Sequence, residues 1–283
     1  MANESVLLDQ ASPVLIGVVA FCYLMLLAAG TLTALVMVRS AVGTRIDWRS
    51  LGRTLQERPI LWADAGILLG LLMILILATT TVGALLKAQT PASLLLIQSI
   101  GVDVAGLAVL AWYVRTRKLG WNRLFSLQRM HLTLSLRLGL YFYLSILPIV
   151  FFSSLIYQGI LSAHGYPTTL QDVAILLTGN NPWWVRFYML FMAIILAPLF
   201  EECLFRGILL PLMARRFGVG PGIFFSSLIF AAIHFHLPSM VPLCTVAMGF
   251  SLGYLYSGSL WVPVTMHALF NGVNLGLLLL IRP

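Results

Sequence analysis

Between Phe187 and Met213 the chain is apolar without interruption except at Glu201, Glu202 and Arg206. A run of about 20 apolar residues is enough to cross a bilayer as a helix. A charge at mid-bilayer costs about 2.5–3.5 kcal/mol on insertion scales. In lipid the backbone must satisfy its own hydrogen bonds, so the segment is helical, and its charges must face other protein or a water-filled cavity. The stretch therefore demands partner helices that carry polar groups of their own.

The rest of the chain is built to supply them. Of its 283 residues 60% are hydrophobic and 9% charged, whereas a soluble domain carries about 25% charged residues. A closed barrel would need strict alternation, and these runs are continuously apolar. The expected fold class is an all-α polytopic membrane protein, a bundle of about eight transmembrane helices forming one membrane domain over residues 1–283. The spans fall near 13–38, 64–86, 92–114, 135–160, 184–213, 221–238, 240–257 and 260–281. Residues 1–183 supply four N-terminal helices and their loops, and residues 184–283 four helices holding most of the buried polar groups. Residues 1–12 lack a basic leader, so the first span is expected to be a retained helix.

The net charge of +8 is unevenly spread. Segments 39–58, 115–137 and 215–216 hold thirteen of the 17 Lys and Arg residues. The positive-inside rule places these clusters in the cytoplasm and both termini outside, in a multi-pass protein of the cell membrane. The excess charge thus serves topology and implies no nucleic-acid partner. Cys22, Cys203 and Cys244 lie in apolar spans without CxxC or metal-ligand spacing, which excludes a disulfide framework.

Reading the spans for residues that lipid excludes gives Asp103, then Glu201, Glu202 and Arg206, then His234 and His236, then His267, Asn271 and Asn274. Glu202 and Arg206 are at i,i+4 and can pair. Glu201 points about 100° away from Glu202 and is left free. His267, Asn271 and Asn274 share one helical face. His234 and His236 are two apart and point away from each other, so one of them is expected to join a shared site. His234 falls late in its span and Glu201 past the middle of its own, so a common depth needs shifted boundaries or a tilted helix. A carboxylate among apolar side chains suits general acid or base work, imidazoles can activate water or bind metal, and an amide or imidazole can donate to an oxyanion. Glu, two His and Asn are a sufficient kit for peptide hydrolysis without a serine or cysteine nucleophile. The plain alternatives are a Glu–Arg strut, hydrogen-bonded core histidines, and an Asp103 that lines a pathway or pairs with a polar neighbour.

Three motifs occur in order, each in its own predicted span: Glu201-Glu202-Cys-Leu-Phe-Arg206, Phe230-Ala-Ala-Ile-His234 and His267-Ala-Leu-Phe-Asn271. In these the chain resembles the type II CAAX prenyl endopeptidase and bacteriocin-processing (CPBP, or Abi) intramembrane proteases, over roughly residues 184–281. The resemblance implies an eight-helix hydrolase with its site in a cavity opening to the cytoplasm. It gives Glu201 and His234 the activation of water, His267 and Asn271 the stabilisation of the oxyanion, and Glu202 and Arg206 the orientation of the site. The family has been described both as metalloproteases and as metal-independent glutamate proteases. If a metal is used, zinc held by Glu201, His234 and His267 is expected, although the spacing is not that of a His-Glu-x-x-His helix. The expected partners are the lipid bilayer and a peptide or protein substrate with a membrane-associated or lipidated segment. The rival readings are a proton- or ion-coupled transporter and a non-catalytic immunity or scaffold protein.

Overall fold

Apolar runs that must close their own hydrogen bonds give helices throughout, and no strand occurs among the described residues. The structure is a computed structural model describing residues 13–44, 47–85, 96–97, 99–118, 120–127, 130–167, 169, 171–179 and 181–281. In chain order the helices are α1 (Pro13–Thr44), α2 (Trp48–Gln56), α3 (Trp62–Leu85) and α4 (Ala105–Thr116), the last entered through a π-helical turn at Ile100–Val104. Then come α5 (Trp121–Phe125), α6 (Leu132–Ala163), α7 (Asp172–Thr178) and α8 (Trp183–Phe217). The chain closes with α9 (Val219–Ala232), α10 (Met240–Ser257) and α11 (Trp261–Ile281).

Among the described residues, α1, α3, α6, α8, α10 and α11 are long and apolar enough to cross a membrane. The third predicted span lies partly outside the described residues, and the π turn at Ile100–Val104 with α4 makes up most of its described part. The sixth differs from expectation: it was placed at 221–238, and α9 stops at Ala232. Phe235 adopts a left-handed φ of 48°, uncommon for a residue with a side chain, which separates α9 from the 3-10 turn Leu237–Ser239 that leads into α10.

Helix α6 runs through the bundle, packed against α1, α10 and α11. Small residues allow the close crossings. A Cβ at Gly30 of α1 would lie 2.4 Å from the Leu144 carbonyl of α6, and one at Gly139 of α6 would lie 2.5 Å from Cβ of Thr265 in α11.

The two ends of the bundle differ. At the arginine-rich end the connecting segments are laced together. Gln56 Nε2 donates to the Ala214 carbonyl at 2.8 Å, Arg215 Nη2 to that of Arg58 at 2.8 Å, and Arg58 Nη1 to that of Arg123 at 3.1 Å. Arg117 pairs with the buried Asp64 at 2.9 Å, and the Tyr113 hydroxyl donates to the same carboxylate. Beneath this lacing a core including Ile60, Leu124, Phe125, Leu210, Leu212 and Ala214 is completely buried. The opposite end is made by the segment after α6, by α7 and by the end of α11, where Leu176 and Leu177 pack on Leu275 and Leu279.

Candidate active site

The site is built on irregularities of α8. π-helical turns at Met192–Leu196 and Cys203–Leu209 flank a short α-helical piece, Ala197–Glu202. Each turn ends two residues before a proline, Pro198 and Pro211. Proline lacks a backbone N–H and clashes with the carbonyl four residues back, and a wider turn relieves the clash. In the first π turn the Ala197 N–H donates five residues back, to Met192. The next bond in that register would run from residue 198 to the Ala193 carbonyl, and Pro198 has no hydrogen to give. The Asn271 side chain supplies it: Nδ2 donates to the Ala193 carbonyl at 2.7 Å. A helix irregularity encoded by proline is thereby completed from α11.

One turn later the two carboxylates divide. Glu202 is completely buried, and its Oε1 accepts from Arg206 Nη1 at 2.9 Å and from His267 Nδ1 at 2.8 Å. Arg206 is equally enclosed. Its Nη2 donates to the Ala247 carbonyl at 2.7 Å, and its guanidinium lies 5.0 Å from the Phe230 ring centre and 5.2 Å from that of Phe250. Removing either charge would strand the other in a dry interior. The Glu202–Arg206 pair expected from the i,i+4 spacing is therefore present and buried.

Glu201 faces the other way. Its Oε2 is buried without a hydrogen-bond partner among the described residues and lies 3.9 Å from His267 Nε2. That is too long for a direct hydrogen bond and suits one intervening group. The His267 ring stacks on Phe250 at 5.1 Å between centres and meets Phe230 edge-on at 5.7 Å. Its orientation is thus fixed by two rings and a carboxylate.

His234 comes in from beyond the end of α9. Its Nδ1 lies 2.8 Å from the Phe230 carbonyl, which only accepts, so Nδ1 carries the hydrogen and Nε2 keeps its lone pair. Phe230 is the aromatic of the second motif, and its ring sits 4.9 Å from that of His234. The depth mismatch read from the spans resolves here, because α9 ends early and His234 follows it on a turn. Of the two histidines, His234 stands beside Phe230, and His236 is held by residues further along the cavity wall. With Phe235 left-handed, both line the same cavity, His236 held by Ser239 Oγ at 2.7 Å and Thr169 Oγ1 at 3.1 Å.

Glu201, His234, His267 and Asn271 share the wall of one cavity of 680 Å³. Asn274 lines it too, its Nδ2 tied to the Phe270 carbonyl at 2.8 Å. Asp103, on the π turn before α4, adds a second carboxylate to the wall. Its isolation in the sequence gave no sign that it would meet Glu201. The cavity reaches Gln158, Thr169 and Gln171, at the end of the bundle away from the arginines.

Among the described residues no three His, Cys, Asp or Glu side chains are grouped to hold a metal ion. Glu201, His234 and His267, the set expected for zinc, do not form such a group.

Residues 182–273 match the family model of the Rce1-like, type II CAAX prenyl endopeptidases. The match begins at the start of α8 and contains all three motifs, and it agrees with the resemblance they carry. No curated protein and no solved structure matches the chain.

Proposed function

We propose that this multi-pass membrane protein of a protease family is an intramembrane endopeptidase in which Glu201 and His234 activate water for attack on a peptide bond. One observation carries the reading: adjacent carboxylates have different surroundings. Glu202 lies off the cavity wall and gives Oε1 to both Arg206 and His267, while Glu201 lines the cavity and makes no such pair, its Oε2 standing opposite an imidazole nitrogen; Oε2 has no hydrogen-bond partner among the described residues in either carboxylate.

Glu201, Glu202 and Arg206 together carry one negative charge, and one proton held between Glu201 and His267 neutralises the cluster. Placed on His267 Nε2, that proton leaves Glu201 as the base and makes His267 a donor. A water between them loses a proton to Glu201 as its oxygen attacks the carbonyl carbon, with His234 Nε2 as a second acceptor for the water. The developing oxyanion takes the Nε2 hydrogen bond of His267, charge-assisted and shielded from bulk water. Asn271 holds α8 in its π register and has a second amide hydrogen for the oxyanion. Collapse of the tetrahedral intermediate passes the proton from Glu201 to the departing amine. Glu202 and Arg206 position His267 and keep the charge balance.

The wall includes Leu147, Val150, Phe270 and Leu278, which suits a substrate with a membrane-associated or lipidated segment. A transporter needs a continuous polar path, whereas at the arginine-rich end a core including Phe125, Leu210 and Leu212 is completely buried. The test uses purified protein in detergent and a panel of peptides carrying prenyl or acyl groups. The parent chain cleaves one of them, and Glu201→Gln and His234→Ala each lose about 100-fold or more while eluting as the parent does. Full activity in either variant refutes the reading.

A further inference from the structure

The arginine clusters and the cavity mouth lie at opposite ends of the bundle. On α6 the cavity wall climbs from Leu147 through Val150 and Ser154 to Gln158, and on α11 from His267 to Leu278. At a 1.5 Å rise per residue each wall travels about 16 Å away from the arginine-rich end. The wall ends at Thr169, Gln171 and His236, in the segments that follow α6 and α9. In the other direction the cavity is stopped by Arg206, 1% exposed, and behind it by the core containing Phe125, Leu210 and Leu212. Outside segments 39–58, 115–137 and 215–216, only Lys87, Arg186, Arg206 and Arg282 are basic, and Arg206 is the internal partner of Glu202.

We infer that the cavity opens on the extracytoplasmic face, so that the segment to be cut is presented from outside the cell membrane. The orientation follows from the bias of basic residues, which fixes the arginine-rich end in the cytoplasm, and from the seal above it. The nature of the substrate rests on the protease reading, and it is a translocated peptide or the outer juxtamembrane stretch of a membrane-anchored protein. The cytoplasmic opening implied by the family resemblance is replaced.

Single cysteines at Thr169 and Thr54 test this in intact bacterial cells treated with a membrane-impermeant maleimide. The parent chain, with its three native cysteines, serves as the blank. Thr169→Cys is labelled in intact cells, and Thr54→Cys only after the membrane is broken. The reverse pattern, or labelling of both in intact cells, overturns the inference. Because Thr169 bonds to His236, His164→Cys on the same end serves if Thr169→Cys folds poorly. Labelling reports orientation whether or not the protein cleaves, and the Glu201→Gln comparison reports hydrolysis whatever the orientation. A cleavable segment tethered outside is cut and the same segment kept in the cytoplasm is spared. The opposite preference contradicts the substrate assignment.

Discussion

His267 Nδ1 lies 2.8 Å from Glu202 Oε1, the oxygen that also takes Arg206, so one buried carboxylate sets both the charge and the orientation of the imidazole facing Glu201. The site is therefore layered. A sealed ionic unit of Glu202 and Arg206 lies within the bundle, and the reactive groups stand between it and the cavity.

The inner unit must be destabilised by loss of either half. Arg206→Met leaves the Glu202 carboxylate beside His267 with no guanidinium, and the expected loss is about 3–5 kcal/mol. Arg206→Lys recovers part of this. A single ammonium cannot reproduce the fork that reaches Glu202 and the Ala247 carbonyl while lying between two phenyl rings. Thermal unfolding in detergent checks both, and parental stability in Arg206→Met would contradict the layered account.

Asn271 and Pro198 should be energetically coupled. Asn271→Ala strands the Ala193 carbonyl, at a cost of about 1–3 kcal/mol. Pro198→Ala restores a backbone donor, so in that background Asn271→Ala should cost measurably less. A double-mutant cycle on unfolding temperature reads the coupling. Cleavage measured on the same four proteins separates the roles of Asn271: stability recovers in the double variant, while activity stays low if the amide also serves the oxyanion. Additive unfolding costs would remove the proposed link between the proline and the amide.

Two glycines two residues apart in α9 should behave differently. A Cβ at Gly222 would lie 2.6 Å from the Ala214 nitrogen, a backbone atom that cannot swing aside, whereas one at Gly220 meets nothing within 4 Å. Gly222→Ala is expected to cost about 1–3 kcal/mol by pushing α9 off the end of α8. Gly220→Ala is expected to be neutral or slightly stabilising, since alanine is the better helix former. Equal unfolding temperatures for the two variants would argue against the tight α8–α9 hairpin.

Much of the site was legible in the sequence because helical geometry is local. Spacing alone pairs Glu202 with Arg206, turns Glu201 away and aligns His267 with Asn271. The early end of α9 was hidden by the apolar run that continues past Ala232. The meeting of His234 and His236 in one cavity depends on a left-handed phenylalanine, which no residue pattern announces. The bond from Asn271 to Ala193 needs the π register as well as the proline. Asp103 reaches the cavity through packing between distant helices, and the direction in which the cavity opens depends on the placement of every helix at once.

The central claim is the division of labour between neighbouring glutamates, and paired measurements on Glu201→Gln and Glu202→Gln test it most directly. Each variant is assayed for cleavage and for unfolding temperature in the same detergent. Glu201→Gln is predicted to lose about 100-fold or more in cleavage and to unfold at or above the parental temperature. Glu202→Gln is predicted to unfold well below it, because Arg206 is left as a buried unpaired charge. An active Glu201→Gln, or a Glu202→Gln as stable as the parent, would contradict the account.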